Sequence, residues 1–298
     1  MRIVTRGDMD GLSCAVIISL HEKVDGFLLI HPQDITDRRV EIRPTDILAN
    51  VPYHPNCAMW FDHHMHTATY SELPEGFRGV FGEAPSTARL VYEFYGGAAK
   101  LPQLEELVRQ TDRMDSADLT PGDVTDPRGY ILLGFTIDSR TGLGAFEDYM
   151  MTLLDLLRRT VPVEEVLAHP AVSRRVQTMR DADREFRKAL LDHSRVDGNV
   201  VLTDLRDLTR PPVGNRFLVY ALFPDVNVSL RVHWGPERKF AVAVLGHSIF
   251  NRSCATDVGL MAARFGGGGH RGAASVPLPL GEAEGRIAEI VAELKRNG

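Results

Sequence analysis

The sequence predicts an α/β protein in which a parallel-sheet domain is followed by a helical connector and then by a smaller α/β domain. Three observations support this prediction. Apolar strand-like and helix-like segments alternate over the first part of the chain, which is typical of a parallel sheet. Heptad-like Leu and Val among many charges then indicate helices from residue 142 to about 194, and β-branched alternation follows Asp197-Gly198.

The first part contains seven predicted elements. They are strands at 3–5, 26–31, 45–51 and 57–61, and helices at 12–22, 87–95 and 103–110. The helix at 12–22 is apolar on most faces, which suits a helix packed against a sheet. The helix at 87–95 begins after Pro85-Ser86 and ends at Gly96-Gly97, which are ordinary start and stop signals.

The rest of the chain divides into a connector and a second domain. Pro162 and Pro170 interrupt the helical pattern, which favours a connector, and a coiled-coil homodimer is the alternative. Beyond Gly198 we predict strands at 199–203, 227–233 and 239–245, and helices at 216–223, 258–264 and 282–295. The predicted domains are therefore residues 1–142, 143–196 and 197–298.

Composition limits the classes of function. The chain has 298 residues, 44% of them hydrophobic, and a net charge of -6. That length and apolar content suit two domains with buried cores, and the acidic balance argues against a duplex DNA surface. An anionic substrate must then be held by local groups.

Cysteine usage and hydropathy predict a cytoplasmic protein. Cys14, Cys57 and Cys254 are odd in number and none is in C-x-x-C spacing, so neither a disulfide framework nor a zinc site is indicated. No charged-then-apolar leader precedes the first strand, and no apolar run reaches the roughly 18 residues of a membrane span. We therefore expect no membrane partner.

Polar side chains follow two of the predicted parallel strands. Asp8 and Asp10 come after the strand at 3–5, and Asp62-His63-His64 comes at the end of the strand at 57–61. Open α/β sheets bind their ligands at the carboxyl ends of the strands. Carboxylates with imidazoles suit Mn²⁺ or a similar divalent ion, and two such ions about 3.5–4 Å apart can drive phosphoester hydrolysis. The sequence therefore predicts a metal centre here.

A run of four glycines lies near the other end of the chain. Residues 266–269 precede His270 and Arg271, and they separate a predicted helix from a short strand of small residues at 272–275. Glycine lets the backbone approach a ligand closely, and successive amides can bind an anion. The Walker pattern is absent. We predict a functional turn rather than a flexible linker.

Taken together, three segments resemble the DHH/DHHA1 phosphoesterase family. They are Asp8-Met9-Asp10-Gly11, Asp62-His63-His64 and Phe265-Gly266-Gly267-Gly268-Gly269-His270-Arg271. That family includes nanoRNases and pAp phosphatases, exopolyphosphatase-like proteins, cyclic-dinucleotide hydrolases and RecJ exonucleases. The resemblance implies a DHH domain that holds metal and a smaller DHHA1 domain that holds substrate.

The resemblance also implies roles for individual residues. Asp8, Asp10, Asp46, His63 and Asp112 would bind the metal ions, with Asp115 as the alternative to Asp112. His64 would face the substrate phosphate, and Asp62 would orient an imidazole. The substrate-binding residues would be Arg252, Gly267, Gly268, Gly269, His270 and Arg271; Arg252 resembles an arginine that lies upstream of the glycine motif in the family.

Arg6 departs from the family pattern. Many members carry a metal-binding histidine at this position, whereas a guanidinium cannot ligate a cation. The first metal site is then weaker, differently occupied or absent. Arg6 would instead pair with a carboxylate or with a substrate phosphate, and the sequence leaves both open.

These observations predict a divalent-metal-dependent phosphoesterase. We expect it to use one or two ions, Mn²⁺ or another divalent cation, and to hydrolyse short oligonucleotides or pAp in an interdomain cleft. The acidic chain disfavours a processive RecJ-like exonuclease. Two alternatives remain, an exopolyphosphatase-like hydrolase and a nucleotide-binding regulatory protein with a weakened metal site.

Overall fold

The computed structural model describes residues 1–64, 76–138, 143 and 146–296. The chain forms two compact units. The first comprises Met1–Asp118 with Pro127–Met179, and the second comprises Leu119–Asp126 with Arg180–Gly298. The predicted boundary at residue 142 lies outside the described residues, and the three-part division stays a prediction.

The first unit is built on a parallel sheet, as predicted. Its strands are β1 (Arg2–Thr5), β2 (Gly26–Leu29), β3 (Asp46–Ala49), β4 (Met59–Asp62) and β5 (Gly79–Phe81). They lie in the order β2-β1-β3-β4-β5, and every neighbouring pair is parallel. Thr5 pairs with Ala49, and Ala49 pairs with Phe61, so the carboxyl ends of the three central strands are adjacent.

In the described part of the chain, ten α-helices come before the second sheet. They are α1 (Met9–Ser19), α2 (Pro32–Thr36), α3 (Thr87–Phe94), α4 (Gly97–Lys100), α5 (Glu105–Asp115), α6 (Pro121–Thr125), α7 (Gly129–Phe135), α8 (Glu147–Arg158), α9 (Val163–Ala168) and α10 (Pro170–His193). Helix α6 belongs to the second unit. The pattern predicted as a connector is thus divided into three helices, which end or begin close to Pro162 and Pro170.

Helix α1 begins three residues earlier than the sequence predicts. Asp8 caps it by accepting a hydrogen bond from Gly11 N, so the first turn forms directly after the loop that follows β1. A side chain on Gly11 would put its Cβ 2.2 Å from the carbonyl oxygen of Arg6. Glycine is therefore needed in this first turn, although it is a poor helix former. Nearly all of α1 is buried, as its apolar sequence predicts.

The second unit contains a six-stranded mixed sheet. Its remaining elements are β6 (Ser194–Asp197), β7 (Val200–Asp204), α11 (Leu218–Leu222), β8 (Val228–Trp234), β9 (Phe240–His247), α12 (Val258–Arg264), β10 (Gly268–His270), β11 (Ala273–Pro279) and α13 (Ala283–Arg296). The order is β10-β11-β9-β8-β7-β6, and only β7 and β8 are parallel. Alternate residues of β8, Val228, Leu230 and Val232, are buried in a core shared with α12 and α13, as the period of two predicts.

The predicted strands and helices of this unit are confirmed within a few residues, but the glycine run differs. Part of it forms the edge strand β10, in which Gly268 pairs with Ser275 and His270 pairs with Ala273. A Cβ on Gly267 or Gly269 would lie 2.1 or 2.3 Å from a backbone oxygen of the neighbouring strand. Close packing of two strands therefore explains these glycines. Among the described helices, none has the length and apolar character needed to cross a membrane.

Candidate metal centre

Polar residues from three adjacent strands meet at one edge of the first sheet. Asp8 and Asp10 follow β1, Asn50 follows β3 directly, and Asp62 ends β4 with His63 after it. Because these strands are parallel neighbours, their carboxyl ends bring the side chains together, as predicted from the sequence.

Two of these side chains form a cluster suited to a cation together with Asp115 of helix α5. Asp10, His63 and Asp115 each offer a ligand atom, and these atoms lie within 4.8 Å of one another. His63 Nε2 is 3.0 Å from Asp115 Oδ2. Asp115 is the last residue of helix α5. The cluster thus combines two residues that follow strands of the sheet with one residue at the end of a helix.

The orientation of His63 fits metal binding. Its Nδ1 atom lies 2.9 Å from the carbonyl oxygen of Ala84, which can only accept, so Nδ1 carries the proton. The lone pair of the neutral imidazole is then on Nε2, which faces Asp115. Metal-binding histidines commonly donate their other N–H to a carbonyl or a carboxylate in this way.

Asp10 is almost fully buried, at 2% exposure. Its two oxygens accept hydrogen bonds from Ala88 N at 2.7 Å and Thr87 N at 3.0 Å, in the first turn of α3. Burial, with added repulsion from Asp115 and Asp8, nevertheless raises the pKa of Asp10 to about 7. The carboxylate therefore needs more positive charge than two amides supply.

The excess of negative charge in the cluster also changes the pKa of His63. Burial by itself would lower the pKa of the imidazole, but the hydrogen bonds to Asp115 and Ala84, together with the nearby carboxylates, raise it to about 9. The surroundings of His63 therefore favour the protonated imidazole. Two carboxylate oxygens and one imidazole nitrogen are a donor set that Mn²⁺ and similar ions accept, so the residues fit a divalent cation.

Asp8 is held by three nitrogen donors. Its Oδ1 atom accepts from Gly11 N at 2.9 Å and from Asn50 Nδ2 at 3.0 Å, and Oδ2 lies 3.2 Å from Arg6 Nε. Burial raises the pKa of Asp8, and the Arg6 charge opposes that rise. Of the two pairings that the sequence left open for Arg6, the structure contains the carboxylate pairing.

Asp62 orients His64. Asp62 Oδ1 lies 2.7 Å from His64 Nδ1, which donates to it, and the same oxygen accepts from His63 N at 2.9 Å. Asp62 is buried, whereas the His64 side chain is 34% exposed. This hydrogen bond fixes the orientation of the His64 ring, and the role of His64 toward a substrate stays a prediction.

Asp46 does not lie with the metal-binding cluster, contrary to the role that the resemblance implies. It begins β3 and pairs in register with Arg2, at the amino ends of the strands, so it lies at the sheet edge opposite the cluster. Arg2 donates to both its oxygens, at 3.0 and 2.6 Å, and Arg43 N donates at 2.8 Å. The structure therefore contradicts the role of Asp46 as a metal ligand. The position that follows β3 is occupied by Asn50.

Asp112 is also engaged elsewhere. Its Oδ2 atom accepts from Arg89 Nε at 2.9 Å and from Arg89 Nη2 at 2.6 Å, and its Oδ1 atom accepts from Ser86 at 2.6 Å. Asp115, three residues later on α5, is the carboxylate that the structure brings to His63. The structure thus favours the alternative ligand, Asp115.

The second unit carries the remaining predicted residues. The amides of Gly266 and Gly267 donate to the carbonyls of Ala263 and Ala262 and so cap α12. They do not form the predicted anion-binding series of amides. Gly268 and Gly269 lie in β10. A role of Gly267, Gly268 and Gly269 in substrate binding stays a prediction.

The other predicted substrate-binding residues, Arg252, His270 and Arg271, are exposed. Arg252 Nε donates to Ile249 O at 3.1 Å. His270 and Arg271 lie close enough to His247 to act on it electrostatically. Burial lowers the pKa of His247, the hydrogen bond to Thr256 opposes this, and the nearby Arg271 charge lowers the pKa further. The side chains are accessible to an anion, and their role in phosphate recognition stays a prediction.

Sequence reasoning missed Asn50 and Asp138. Asn50 is buried and has a left-handed backbone, with a φ of 58°. The sequence analysis placed Asn50 inside the predicted strand 45–51, whereas β3 ends at Ala49, so Asn50 follows the strand. Asp138 is buried and lies close enough to Asp8 to raise the pKa of Asp8. No local pattern distinguishes Asp138, because its surroundings come from other parts of the chain.

Comparison with solved structures identifies the family. The chain is similar over its whole length to the pGpG-specific phosphodiesterase PggH from Vibrio cholerae, with 35% sequence identity, a TM-score of 0.91 and coverage of 100% of this chain and 99% of that one. No family model matches the sequence, and no curated protein matches it.

Two more distant structures share the fold. One is the DHH domain of PF0399, described as a member of the s1p family of ribosomal proteins, with 15% identity, a TM-score of 0.57 and coverage of 99% of this chain and 87% of that one. The other is RecJ of Thermus thermophilus in complex with Mn²⁺, with 14% identity, a TM-score of 0.56 and coverage of 99% and 52%. Full-length similarity at 35% identity shows common descent. The chain therefore belongs to the DHH family of metal-dependent phosphoester hydrolases.

Proposed function

We propose that this protein hydrolyses the phosphodiester bond of a short linear nucleotide, with a dinucleotide such as pGpG as its substrate. The observation that carries the proposal is the 35% identity to a pGpG-specific phosphodiesterase over the whole of both chains. Water adds to the bridging phosphorus, one P–O bond breaks, and two mononucleotides leave.

The cluster in the first unit supplies the cation site. Asp10, His63 and Asp115 hold a divalent ion, for which Mn²⁺ is the proposed identity because the donors are carboxylates and an imidazole. When bound, such an ion neutralises phosphate charge and lowers the pKa of a water molecule. His64, fixed through Nδ1 by Asp62, presents its ring to the substrate phosphate.

Local positive groups capture the substrate. The net charge of -6 disfavours long nucleic acid, for which affinity depends on many basic contacts. A dinucleotide needs only a few donors. We assign its terminal phosphate to Arg252, His270 and Arg271 of the second unit, whose side chains are exposed.

The test is turnover by the purified protein with Mn²⁺, with Mg²⁺ and after chelation. The substrates are pGpG, pAp, short RNA, cyclic dinucleotides and polyphosphate. We expect metal-dependent conversion of pGpG to GMP with the highest kcat/KM of the set. His63→Asn is the inactive control, since an amide of similar size replaces the ligand nitrogen. Preferred cleavage of pAp or polyphosphate would replace the proposed substrate, and no hydrolysis of any of them would refute the proposal.

A further inference from the structure

Arg6 places a fixed positive charge beside the metal cluster. Its Nε atom lies 3.2 Å from Asp8 Oδ2, and its side chain is 35% exposed. A guanidinium remains protonated at every usable pH, so this charge does not depend on conditions. Asp8 caps helix α1, and the ligand Asp10 lies in the first turn of that helix. The Arg6 charge is thus one carboxylate away from the cation site.

The oxygens of Asp8 face two neutral donors and one positive charge. Oδ1 accepts two hydrogen bonds, from Gly11 N and Asn50 Nδ2, and Oδ2 faces the guanidinium. A metal ion bound to Oδ2 would have to displace Arg6 or lie beside a like charge. Asn50 is a weak ligand, because a neutral amide contributes no negative charge, and its Nδ2 is directed at Asp8. The surroundings of Asp8 therefore favour a guanidinium over a second metal ion.

Arg6 retains donors for a ligand. Within the described part of the chain, its side chain pairs through Nε with Asp8, and no contact of either Nη group is found among those residues. Two N–H groups on a planar fork match two oxygens of a phosphate. The ion pair with Asp8 fixes the direction of the fork.

We infer that the Arg6 guanidinium takes the place of a second metal ion. One divalent cation binds at Asp10, His63 and Asp115, and Arg6 supplies the other positive charge to the same phosphate of the substrate. The inference rests on the proposed phosphodiesterase function for the identity of that phosphate. The number of ions that each chain binds can be measured without any turnover.

The first test counts metal ions. Calorimetric titration with Mn²⁺ should give one site per chain in the wild type, and the electron paramagnetic resonance spectrum should be that of an isolated ion rather than a coupled pair. The double variant Arg6→His with Asn50→Asp introduces an imidazole and a carboxylate as ligands and should therefore bind a second ion. Asp is tolerated at position 50 because, like Asn, it adopts left-handed backbone readily. Circular dichroism checks that the variant is folded.

Two results of this test would overturn the inference. One is two ions per chain in the wild type. The other is a folded double variant that still binds a single ion, since Arg6 and Asn50 would then not be what excludes the second.

The second test examines the contact with substrate. Arg6→Ala should lower kcat/KM for pGpG by about ten- to a hundredfold, the range for loss of a charge-assisted hydrogen bond, while the Mn²⁺ stoichiometry stays at one. Arg6→Lys should recover part of the loss, because it keeps the charge without the fork. Arg43→Ala is the matched control, since Arg43 is an exposed arginine of the same unit, and should leave kcat/KM unchanged.

Wild-type kcat/KM in Arg6→Ala would refute the phosphate contact. Failure of the proposed function would look different, because the wild type would then hydrolyse no pGpG with any metal while the ion count still gave its own answer.

Discussion

His63 Nε2 and Asp115 Oδ2 lie 3.0 Å apart, although one residue follows the strand β4 and the other ends the helix α5. The contact joins two segments that are 52 positions apart in the printed sequence, and it distinguishes Asp115 from the neighbouring Asp112. It is therefore the contact on which the assignment of the ligands depends.

Asp115→Asn should weaken Mn²⁺ binding by at least about tenfold, because the amide removes one negative ligand from the cluster. Asp112→Asn is the matched control on the same helix. It should leave Mn²⁺ affinity within about twofold of the wild type, since Asp112 is bound to Arg89 and Ser86. Calorimetric titration measures both. A loss of metal affinity in Asp112→Asn alone would reverse the assignment.

Replacing Asp46 should affect stability rather than metal binding. Asp46 is fully buried and both its oxygens pair with Arg2, so Asp46→Ala leaves a partly buried guanidinium without its counter-charge. Breaking a buried pair in this way typically costs about 3–5 kcal/mol. Urea denaturation should therefore show a lower free energy of unfolding, with an unchanged Mn²⁺ stoichiometry in the folded protein.

The control for that variant is Asp37→Ala, which removes a more exposed carboxylate from an ion pair with Arg39. Exposed pairs contribute at most about 1 kcal/mol. If the folded Asp46→Ala protein lost its metal, the structural role of Asp46 would be wrong.

Metal affinity should rise with pH. In the metal-free protein, the pKa of Asp10 is raised to about 7, chiefly by burial; burial lowers the pKa of His63, but Asp115, Ala84 and Asp10 raise it overall to about 9. Both protons must leave when a cation binds, so protons compete with metal below these values. Apparent Mn²⁺ affinity should increase from pH 6 to pH 9, by about tenfold per pH unit for each proton released.

Titrations in buffers of different ionisation enthalpy measure the number of protons released. We expect between one and two near pH 7. Affinity that is independent of pH over this range would show that Asp10 and His63 are not the ligands.

Arg252→Ala and His270→Ala should separate substrate capture from metal binding. A charge-assisted hydrogen bond contributes about 1.5–3 kcal/mol, so kcat/KM should fall by about one to two orders of magnitude. Mn²⁺ affinity should stay near the wild-type value, because neither side chain belongs to the donor cluster of Asp10, His63 and Asp115. Arg238→Ala, an exposed arginine of the same unit, is the control. Equal loss in the control would indicate a general charge effect.

Local sequence determined the elements and the edge of the sheet where the site lies. Hydrophobic runs and caps predicted four of the five strands described in the first unit, all but β5, and the helix after Ser86, because burial and capping act over a few neighbouring residues. The placement of Asp8, Asp10 and His63 followed from the geometry of parallel strands, since a polar residue after a buried strand lies at the carboxyl edge. The motifs also predicted the family, which the whole-length similarity confirmed.

Tertiary structure decided which carboxylates serve the site. Asp46 lies at the amino end of the short strand β3, and Asn50 follows its carboxyl end. Asp46 pairs with Arg2, whereas Asn50 contacts Asp8, and these contacts show that Asn50 lies on the side of the cluster. Asp112 and Asp115 are one helical turn apart, and the choice between them depends on Arg89 and His63, which come from distant segments. Long-range contacts of this kind leave no local pattern, because they arise only when the packed sheet and helices bring those segments together.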